Sequence, residues 1–230
     1  MSSNEAEGVP TAVTSETKVV GEHRWPMALA VVVAIVLTSL LPRSVAIGPA
    51  WLIPLVESVL LVLLIVGDPG RIDRRSQLLR VLSIVLVSVL LVTSLSFTVR
   101  LIADLVAGGS TTESAGALLL AGNAVWVSNN IAFALLYWEL DGGGSAVRAH
   151  RTGPRADFAF PQQLNPLPGW EDWRPRFVDY LYLGFTNATA FSPTDAMPLA
   201  PWTKMTMLVQ SLVSLTILGL IVARAVNVLT

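Results

Sequence analysis

The chain contains no cysteine and only two histidines, His23 and His150, among its 230 residues. The absence of cysteine excludes disulfides, thiolate metal sites and cysteine nucleophiles. Both histidines lie outside the apolar stretches, so neither a histidine metal cluster nor Ser-His-Asp chemistry is expected. We therefore predict no metal, no other cofactor and no enzymatic activity.

Charged residues are also scarce. They make up 13% of the chain, hydrophobic residues make up 53%, and the mean hydropathy is +0.63. Soluble domains usually carry about 25% charged residues, so this composition indicates an integral membrane protein whose first partner is the lipid bilayer. A net charge of −1 gives no reason to expect a nucleic-acid partner.

The apolar stretches predict an all-α membrane fold with about five full transmembrane helices and one re-entrant half-helix. The predicted parts are a disordered polar tail at 1–24, a membrane scaffold at 25–140, a loop at 141–175, and a half-helix, polar elbow and last membrane helix at 176–230. The four scaffold helices are expected at about 25–41, 50–66, 79–107 and 114–140.

The segment from Pro175 to about Val228 has the pattern of a short helix, a polar elbow and a long helix. From Val178 to Ser192 there are 15 residues. As a helix they span about 22 Å, less than the roughly 30 Å of a bilayer core. Non-helical backbone at membrane depth persists only where it packs in protein or lines a wet cavity. The pattern therefore predicts a pore-loop-like hairpin.

This segment resembles the pore hairpin of the two-helix potassium-channel superfamily. Residues 180–189 correspond to its pore helix, and Asp195 corresponds to the acidic residue that follows its filter. The turn before the inner helix is matched by Pro198, Pro201 and Lys204. The resemblance covers about 50 of the 230 residues and implies a channel-like element.

The filter itself differs from that family. In place of Gly-Tyr-Gly, this chain has Phe191-Ser192-Pro193-Thr194. A ladder of carbonyl ligands needs the permissive dihedral angles of glycine, so the resemblance does not extend to potassium selectivity. The whole chain is also similar to an uncharacterised family of bacterial inner-membrane proteins, which implies a multi-pass protein of the plasma membrane and supplies no activity.

The arginines predict the orientation. Nine of them lie in or beside two loops: Arg71, Arg74, Arg75, Arg80, Arg148, Arg151, Arg155, Arg174 and Arg176. Because basic residues stay on the cytoplasmic side, the N-terminus and both loops are expected to be cytoplasmic. The half-helix then enters from the cytoplasm as an inverted pore loop. Alternatively, residues 177–197 make a thin sixth crossing, which would leave the C-terminus inside.

Oxygen-bearing side chains are densest around the polar elbow. Six residues are candidates for permeation or for the elbow itself: Thr186, Asn187, Thr189, Ser192, Thr194 and Asp195. Hydroxyl, amide and carboxylate oxygens replace the hydration shell of a cation in known filters, which makes cation passage the leading hypothesis. The alternative is a packing element in which Pro193 ends the half-helix.

Three more polar residues interrupt the apolar helices. Glu57 marks an ion or proton route, or it is a neutral, hydrogen-bonded group that faces a neighbouring helix. Asn123 and Asn130 are seven residues apart and share a helix face. They either bond to neighbouring helices or line a polar cavity.

Two classes of function therefore stay open. The first is a channel-like protein. Small and polar residues of its last helix, such as Gln210 and Gly219, suit close helix contacts and favour a homo-oligomer. The rival is a non-conducting membrane scaffold or accessory subunit, with a packing hairpin and a loop at 141–175 that binds a protein partner. A secondary transporter ranks third, since no internal repeat is visible.

Overall fold

The computed structural model describes residues 21–41, 49–72, 76–107, 115–150, 155–165, 168–170, 172–190 and 196–229. The helices are α1 (Trp25–Ser39), α2 (Leu52–Gly67), α3 (Gln77–Ala107), α4 (Ala115–Leu140), α5 (Ser145–Ala149), α6 (Pro161–Leu164), α7 (Phe177–Ala190) and α8 (Pro201–Leu229). Within these ranges the strands are two residues each: β1 (Glu22–His23), β2 (Arg71–Ile72), β3 (Phe158–Ala159) and β4 (Met197–Pro198). The predicted all-α class is confirmed.

Three of the described helices, α3, α4 and α8, are long and apolar enough to cross a membrane. This finding is compatible with the predicted membrane location. The other two strongly apolar helices, α1 and α2, have 15 and 16 residues, fewer than the roughly 20 of a full span. Prolines help to set these boundaries, because Pro26 and Pro201 occupy first-turn positions, where no backbone donor is lost.

The short strands pair residues from distant parts of the chain. Strand β1 pairs antiparallel with β2, with Glu22 opposite Ile72. The tail predicted for residues 1–24 thus ends in a paired strand at 22–23, while residues 1–20 lie outside the described part. Strand β3, in the 141–175 loop, pairs antiparallel with β4, just before α8. Residues 158–159 of that loop are therefore hydrogen-bonded to the segment that leads into α8.

Helix α4 lies at the centre of the bundle, against α1, α3, α7 and α8. Most of α4 is buried, whereas most residues in the apolar segments of α3 and α8 are partly or fully exposed. Large aromatic side chains of α4 itself, such as Phe133 and Trp138, are buried in the core. Because protein surrounds α4, polar side chains such as Asn129 and Tyr137 find partners on other helices, while the outer helices present valine and leucine to their surroundings.

Helices α7 and α8 run parallel. The Gly184 carbonyl accepts a hydrogen bond from Gln210 at 2.9 Å, and the Ala188 carbonyl accepts one from Ser214 at 2.8 Å. Both pairs are separated by 26 positions, so the two helices advance in the same direction. Helices joined by a short loop are usually antiparallel. Between α7 and α8 the chain must instead return towards the end where α7 began.

Both helices begin beside the C-terminal end of α4. The ring of Phe177, the first residue of α7, packs edge-on against Trp138, with 6.0 Å between centroids. Trp202, in the first turn of α8, packs against Phe158 at 6.0 Å, and Phe158 contacts Tyr137 at 5.3 Å. Residues 191–195, which connect the two helices, lie outside the described residues.

The side-chain amide of Gln210 joins α4, α7 and α8. Its Oε1 accepts hydrogen bonds from the Tyr137 hydroxyl and the Asn187 amide, both at 2.8 Å. Its Nε2 donates to Asn130 Oδ1 at 3.1 Å and to the Gly184 carbonyl at 2.9 Å. Gln210 is only 2% exposed, so these bonds form away from water, where an unmade hydrogen bond is costly.

Glycine is required where α7 meets α4. A Cβ atom on Gly184 would lie 3.3 Å from the Asn130 carbonyl oxygen and 3.4 Å from the Ala134 Cβ. Any longer side chain would push the two helices apart. Gly184 thus lets its own carbonyl come within reach of Gln210.

We expect Gln210→Leu to destabilise the fold strongly. Leucine fills a similar volume but leaves four buried groups without their partner, at a cost of about 2–4 kcal/mol in the free energy of unfolding. The midpoint of thermal unfolding in detergent measures this loss. The control is Thr216→Val, because the exposed Thr216 hydroxyl bonds only the Leu212 carbonyl of its own helix. Equal midpoints for the two variants would contradict the central role of this amide.

Candidate functional site

Charged and polar side chains collect where α4 ends and where α1, α3, α7 and α8 begin. We call this region the polar end. Its residues are Glu22, Arg24, Asp68, Ser83, Glu139, Asp141, Arg148, Asp157 and Tyr180. Most of them are buried and hydrogen-bonded, as buried polar groups in a stable protein must be.

An ion pair fastens α1 to α2 at the polar end. Arg24 Nη2 lies 3.0 Å from Asp68 Oδ2, and Arg24 Nε donates to the Asp68 backbone carbonyl at 2.8 Å. Both side chains are 8% exposed. The Arg24 backbone N–H also donates to the Gly70 carbonyl. Because Arg24 precedes α1 and Asp68 follows α2, the pair fixes the two helix ends, and its second hydrogen bond offsets part of the cost of desolvation.

Asp141 organises the start of the 141–175 loop. Its Oδ1 accepts the backbone N–H groups of Asp157 at 2.7 Å and Phe158 at 3.2 Å, and its Oδ2 accepts the Tyr180 hydroxyl. In return, Asp157 Oδ2 accepts the Gly142 N–H at 3.1 Å. Two aspartates therefore pin the loop to the end of α4 and to the first turn of α7.

The three glycines after Asp141 make this arrangement sterically feasible. Gly142, Gly143 and Gly144 have φ angles of 56°, 86° and 99°, a region that side chains disfavour. A Cβ on Gly144 would also lie 3.0 Å from the Glu139 carbonyl oxygen and 3.1 Å from Arg80 Nη1. The glycines thus let the chain turn back tightly over the end of α4.

Two cavities lie at the polar end. The first, of about 250 Å³, is lined by Arg24, Asp68, Arg80 and Glu139 among other residues. In its wall, the Ser83 hydroxyl donates to Glu139 at 2.6 Å. The second, of about 350 Å³, lies beside the first residues of α1 and α7 and is lined by arginine and tryptophan side chains.

Glu57 is fully buried, with 0% of its surface exposed. Neither of its carboxyl oxygens has a hydrogen-bond partner among the described residues. Its helix, α2, packs against α1 and α3. The hydrogen-bonded packing role that the sequence offered as one reading therefore finds no partner in this part of the chain.

The two asparagines of α4 occupy different surroundings. Asn130 is buried, accepts the Gln210 amide, and donates to the Trp126 carbonyl at 2.9 Å. Asn123 is exposed. The structure therefore does not bring them together as one site. Asn129, beside Asn130, donates to the Thr98 hydroxyl of α3.

The elbow candidates are also divided. Asn187 is buried and donates to the Met207 carbonyl of α8 at 3.0 Å and to Gln210. Thr186 and Thr189 turn away from this contact, and their hydroxyls bond carbonyls one turn earlier in α7. The predicted residues Ser192, Thr194 and Asp195 lie outside the described residues.

Sequence reasoning missed a polar stripe along α7. Asp179, Tyr182, Thr186 and Thr189 follow one another at spacings of three, four and three residues, which places them on one helix face. All four are half-buried or exposed. The first three also line a small cavity of about 130 Å³. The helical period of these oxygen-bearing residues was the signal that could have revealed the stripe.

The polar end was missed for a different reason. Its acidic residues stand singly at the ends of apolar stretches, where Glu139 and Asp141 resemble ordinary helix boundaries. Only their partners, which are far away in sequence, show that they form one network. A charged residue within the last turn of an apolar helix, followed by three glycines, was the available signal.

Comparison with known proteins identifies no relative. No protein-family model, curated protein or solved structure matches this chain. The resemblances to the potassium-channel hairpin and to a bacterial membrane-protein family therefore remain predictions from the residues.

We expect Glu57→Met to raise the stability of the protein. Methionine has a similar length, and it removes a buried carboxyl group without a described partner, whose desolvation costs about 1–3 kcal/mol. Thermal unfolding in detergent measures the gain, with Glu57→Gln as the control that keeps a polar group. A large loss of stability in the methionine variant would show that the carboxyl has a structural partner.

Glu22 gives a pH-dependent prediction. Burial raises the pKa of this carboxyl above its ordinary value of 4.5, against opposing effects of Arg148 and of hydrogen bonds from Phe177 and Trp138. A carboxyl with a raised pKa favours the folded state while protonated. That contribution is complete below the ordinary pKa and is lost as the pH rises through the raised one.

Glu22→Gln cannot ionise and should lose this pH dependence. Between about pH 4 and pH 8, the thermal midpoint of the variant should rise relative to that of the unmodified chain, with the smallest difference at the acidic end. Paired unfolding scans across this range test the idea. A difference that stays constant or shrinks with rising pH would contradict it.

Proposed function

We propose that the protein is a multi-pass membrane protein whose α7–α8 hairpin is re-entrant and passes cations without potassium-filter selectivity. The observation that supports this most directly is the parallel register of α7 and α8. Helix α7 has 14 residues, or about 21 Å, which is too short for a bilayer core of roughly 30 Å. A half-helix that enters, ends and returns before a full helix is the plan of a pore loop.

The direction of entry follows from charge. Arg71, Arg80, Arg148, Arg174 and Arg176 belong to or border the polar end. With these arginines in the cytoplasm, α7 dips in from that side and α8 crosses to the other. A sixth crossing by residues 177–197 would place α7 antiparallel to α8, so the parallel register favours re-entry.

The conducting path would form between copies of the chain. The buried face of α7 is occupied by contacts with α4 and α8, including those of Asn187 and Gln210. The polar stripe of Asp179, Tyr182, Thr186 and Thr189 lies on the outer face. In a homo-oligomer these oxygens would surround a shared axis, and the Asp179 charge would attract cations to its cytoplasmic mouth.

A second candidate is a non-conducting membrane scaffold or accessory subunit, with the hairpin as a packing element. The Gln210 network supports it, because these polar groups serve helix packing. The 141–175 loop would hold a protein partner. In its described part, Phe158 and Phe160 are buried while Leu164 and Trp170 are exposed, which leaves apolar surface for such a contact.

Cation flux into proteoliposomes separates the two functions. We expect Asp179→Asn to reduce flux about fivefold, the effect of removing roughly 1 kcal/mol of attraction for a cation. The Asn side chain keeps an oxygen that can accept the Arg176 N–H, as Asp179 does at 2.7 Å. Thr186→Val should also change the flux, whereas Thr216→Val, which loses the same kind of hydroxyl from α8, should not.

The outcomes that contradict conduction are equally specific. A folded, reconstituted protein without measurable cation flux would exclude the channel function. Equal flux through the Asp179→Asn, Thr186→Val and Thr216→Val variants would exclude the polar stripe as the conduction path. A stoichiometric partner that is lost with the exposed side chains of the loop (Leu164→Ser with Trp170→Ser), in a protein without flux, would establish the scaffold.

A further inference from the structure

The second cavity at the polar end has the features of an anion site. Its volume of about 350 Å³ falls in the range of small-molecule pockets. Its lining comes from the residues before α1, from β2, from α5 and from the segment that leads into α7. Four segments that are distant in sequence therefore converge on one hollow.

Positive charge dominates this lining. Four arginines contribute to it: Arg71, Arg148, Arg174 and Arg176. Two carboxylates, Glu22 and Asp172, oppose them. Glu22 is already engaged, since it accepts the Trp138 indole N–H and the Phe177 backbone N–H. The lining thus keeps an excess of cationic groups in a partly enclosed volume, where attraction for an anion is stronger than in open water.

Arg148 is a fixed positive charge in the wall of this cavity. Its Nη1 donates to the carbonyls of Trp138 at 2.8 Å and Asp141 at 2.6 Å, and its guanidinium lies 5.2 Å from the centre of the Tyr180 ring. Because these contacts hold the side chain in one position, its charge adds to the attraction for an anion without any rearrangement of the side chain.

Apolar surface adjoins the cavity where α1 and α7 begin. Trp25 and Val178 both line the cavity and are 66% and 56% exposed. From Trp25, exposed apolar side chains continue along α1, such as Leu29 and Val32. A ligand with a charged head and long hydrocarbon chains would match both parts, with tryptophan at the boundary between them.

From this combination we propose that the cavity binds the phosphate headgroup of an anionic phospholipid, whose acyl chains lie along the exposed face of α1. The positive-inside rule accounts for arginines on the cytoplasmic side, but it does not require them to lie close together. The convergence of four arginines on one cavity, with an adjoining apolar surface, distinguishes a headgroup site from a diffuse charged surface. The proposal does not depend on cation conduction.

The test compares lipid binding by the full chain and by matched variants. Native mass spectrometry after titration with phosphatidylglycerol, with phosphatidylcholine as the neutral reference, gives the relative affinity. We expect the double variant Arg71→Gln with Arg176→Gln to bind phosphatidylglycerol about 10- to 30-fold more weakly, from roughly 1 kcal/mol for each arginine. Both side chains are exposed, so their loss should leave folding intact.

Two control pairs show whether the cavity itself is responsible. Arg155→Gln with Lys204→Gln removes the same charge from exposed positions outside the cavity, near the same end of the bundle, and should leave binding unchanged. Arg71→Lys with Arg176→Lys keeps the charge and should retain most of the affinity. Size-exclusion profiles identify any variant that fails to fold. If the glutamine pair does so, the single variant Arg71→Gln replaces it, with an expected loss of about fivefold from roughly 1 kcal/mol for one arginine.

Three results would overturn the proposal. Equal loss of affinity in the cavity pair and the control pair would indicate a diffuse charge effect. Equal binding of phosphatidylglycerol and phosphatidylcholine by the unmodified chain would exclude recognition of anionic headgroups. Competition by about 10 mM inorganic phosphate as strong as that by the lipid would indicate a soluble phosphate compound as the ligand.

Discussion

The hydrogen bonds of Gln210 set the relation between the last two helices and the rest of the bundle. In an apolar environment no water can replace a lost partner, so a buried amide with four partners permits only one register. That register makes α7 parallel to α8. Gly184 makes it sterically attainable, because its missing side chain lets α7 approach α4. The parallel register of α7 and α8 thus follows from one amide and one glycine.

The carboxylates of the polar end differ from Glu57 in having hydrogen-bond partners. At the polar end, carboxylates accept backbone N–H groups, indole N–H groups or guanidinium donors, which offsets part of the cost of their burial. Glu57 lies deep in the apolar part of α2, and its oxygens have no partner in the described chain. The carboxylates of the polar end thus join helix ends, whereas no described residue offsets the burial of the Glu57 carboxyl.

Local patterns predicted the helices but not the contacts between them. The first helix, expected at about 25–41, is found at Trp25–Ser39, because hydropathy is a property of contiguous residues. Asn123 and Asn130 do share a helix face by spacing. However, Gly184 of α7 lies against Asn130. Asn123 lies about two turns closer to the N-terminus of α4, so it is level with the last residues of α7. The length of a neighbouring helix decides which asparagine is covered, and spacing within α4 does not contain that information.

The contacts of Asp157 have a consequence for biosynthesis. This residue receives the Trp202 indole N–H, and its carbonyl receives the Leu199 N–H, so the beginning of the last helix completes the fastening of the loop that follows α4. A ribosome releases the earlier helices first. Until α8 emerges, Asn130 and Tyr137 of α4 lack their partner on that helix, and the central helix of the nascent chain stays incompletely enclosed.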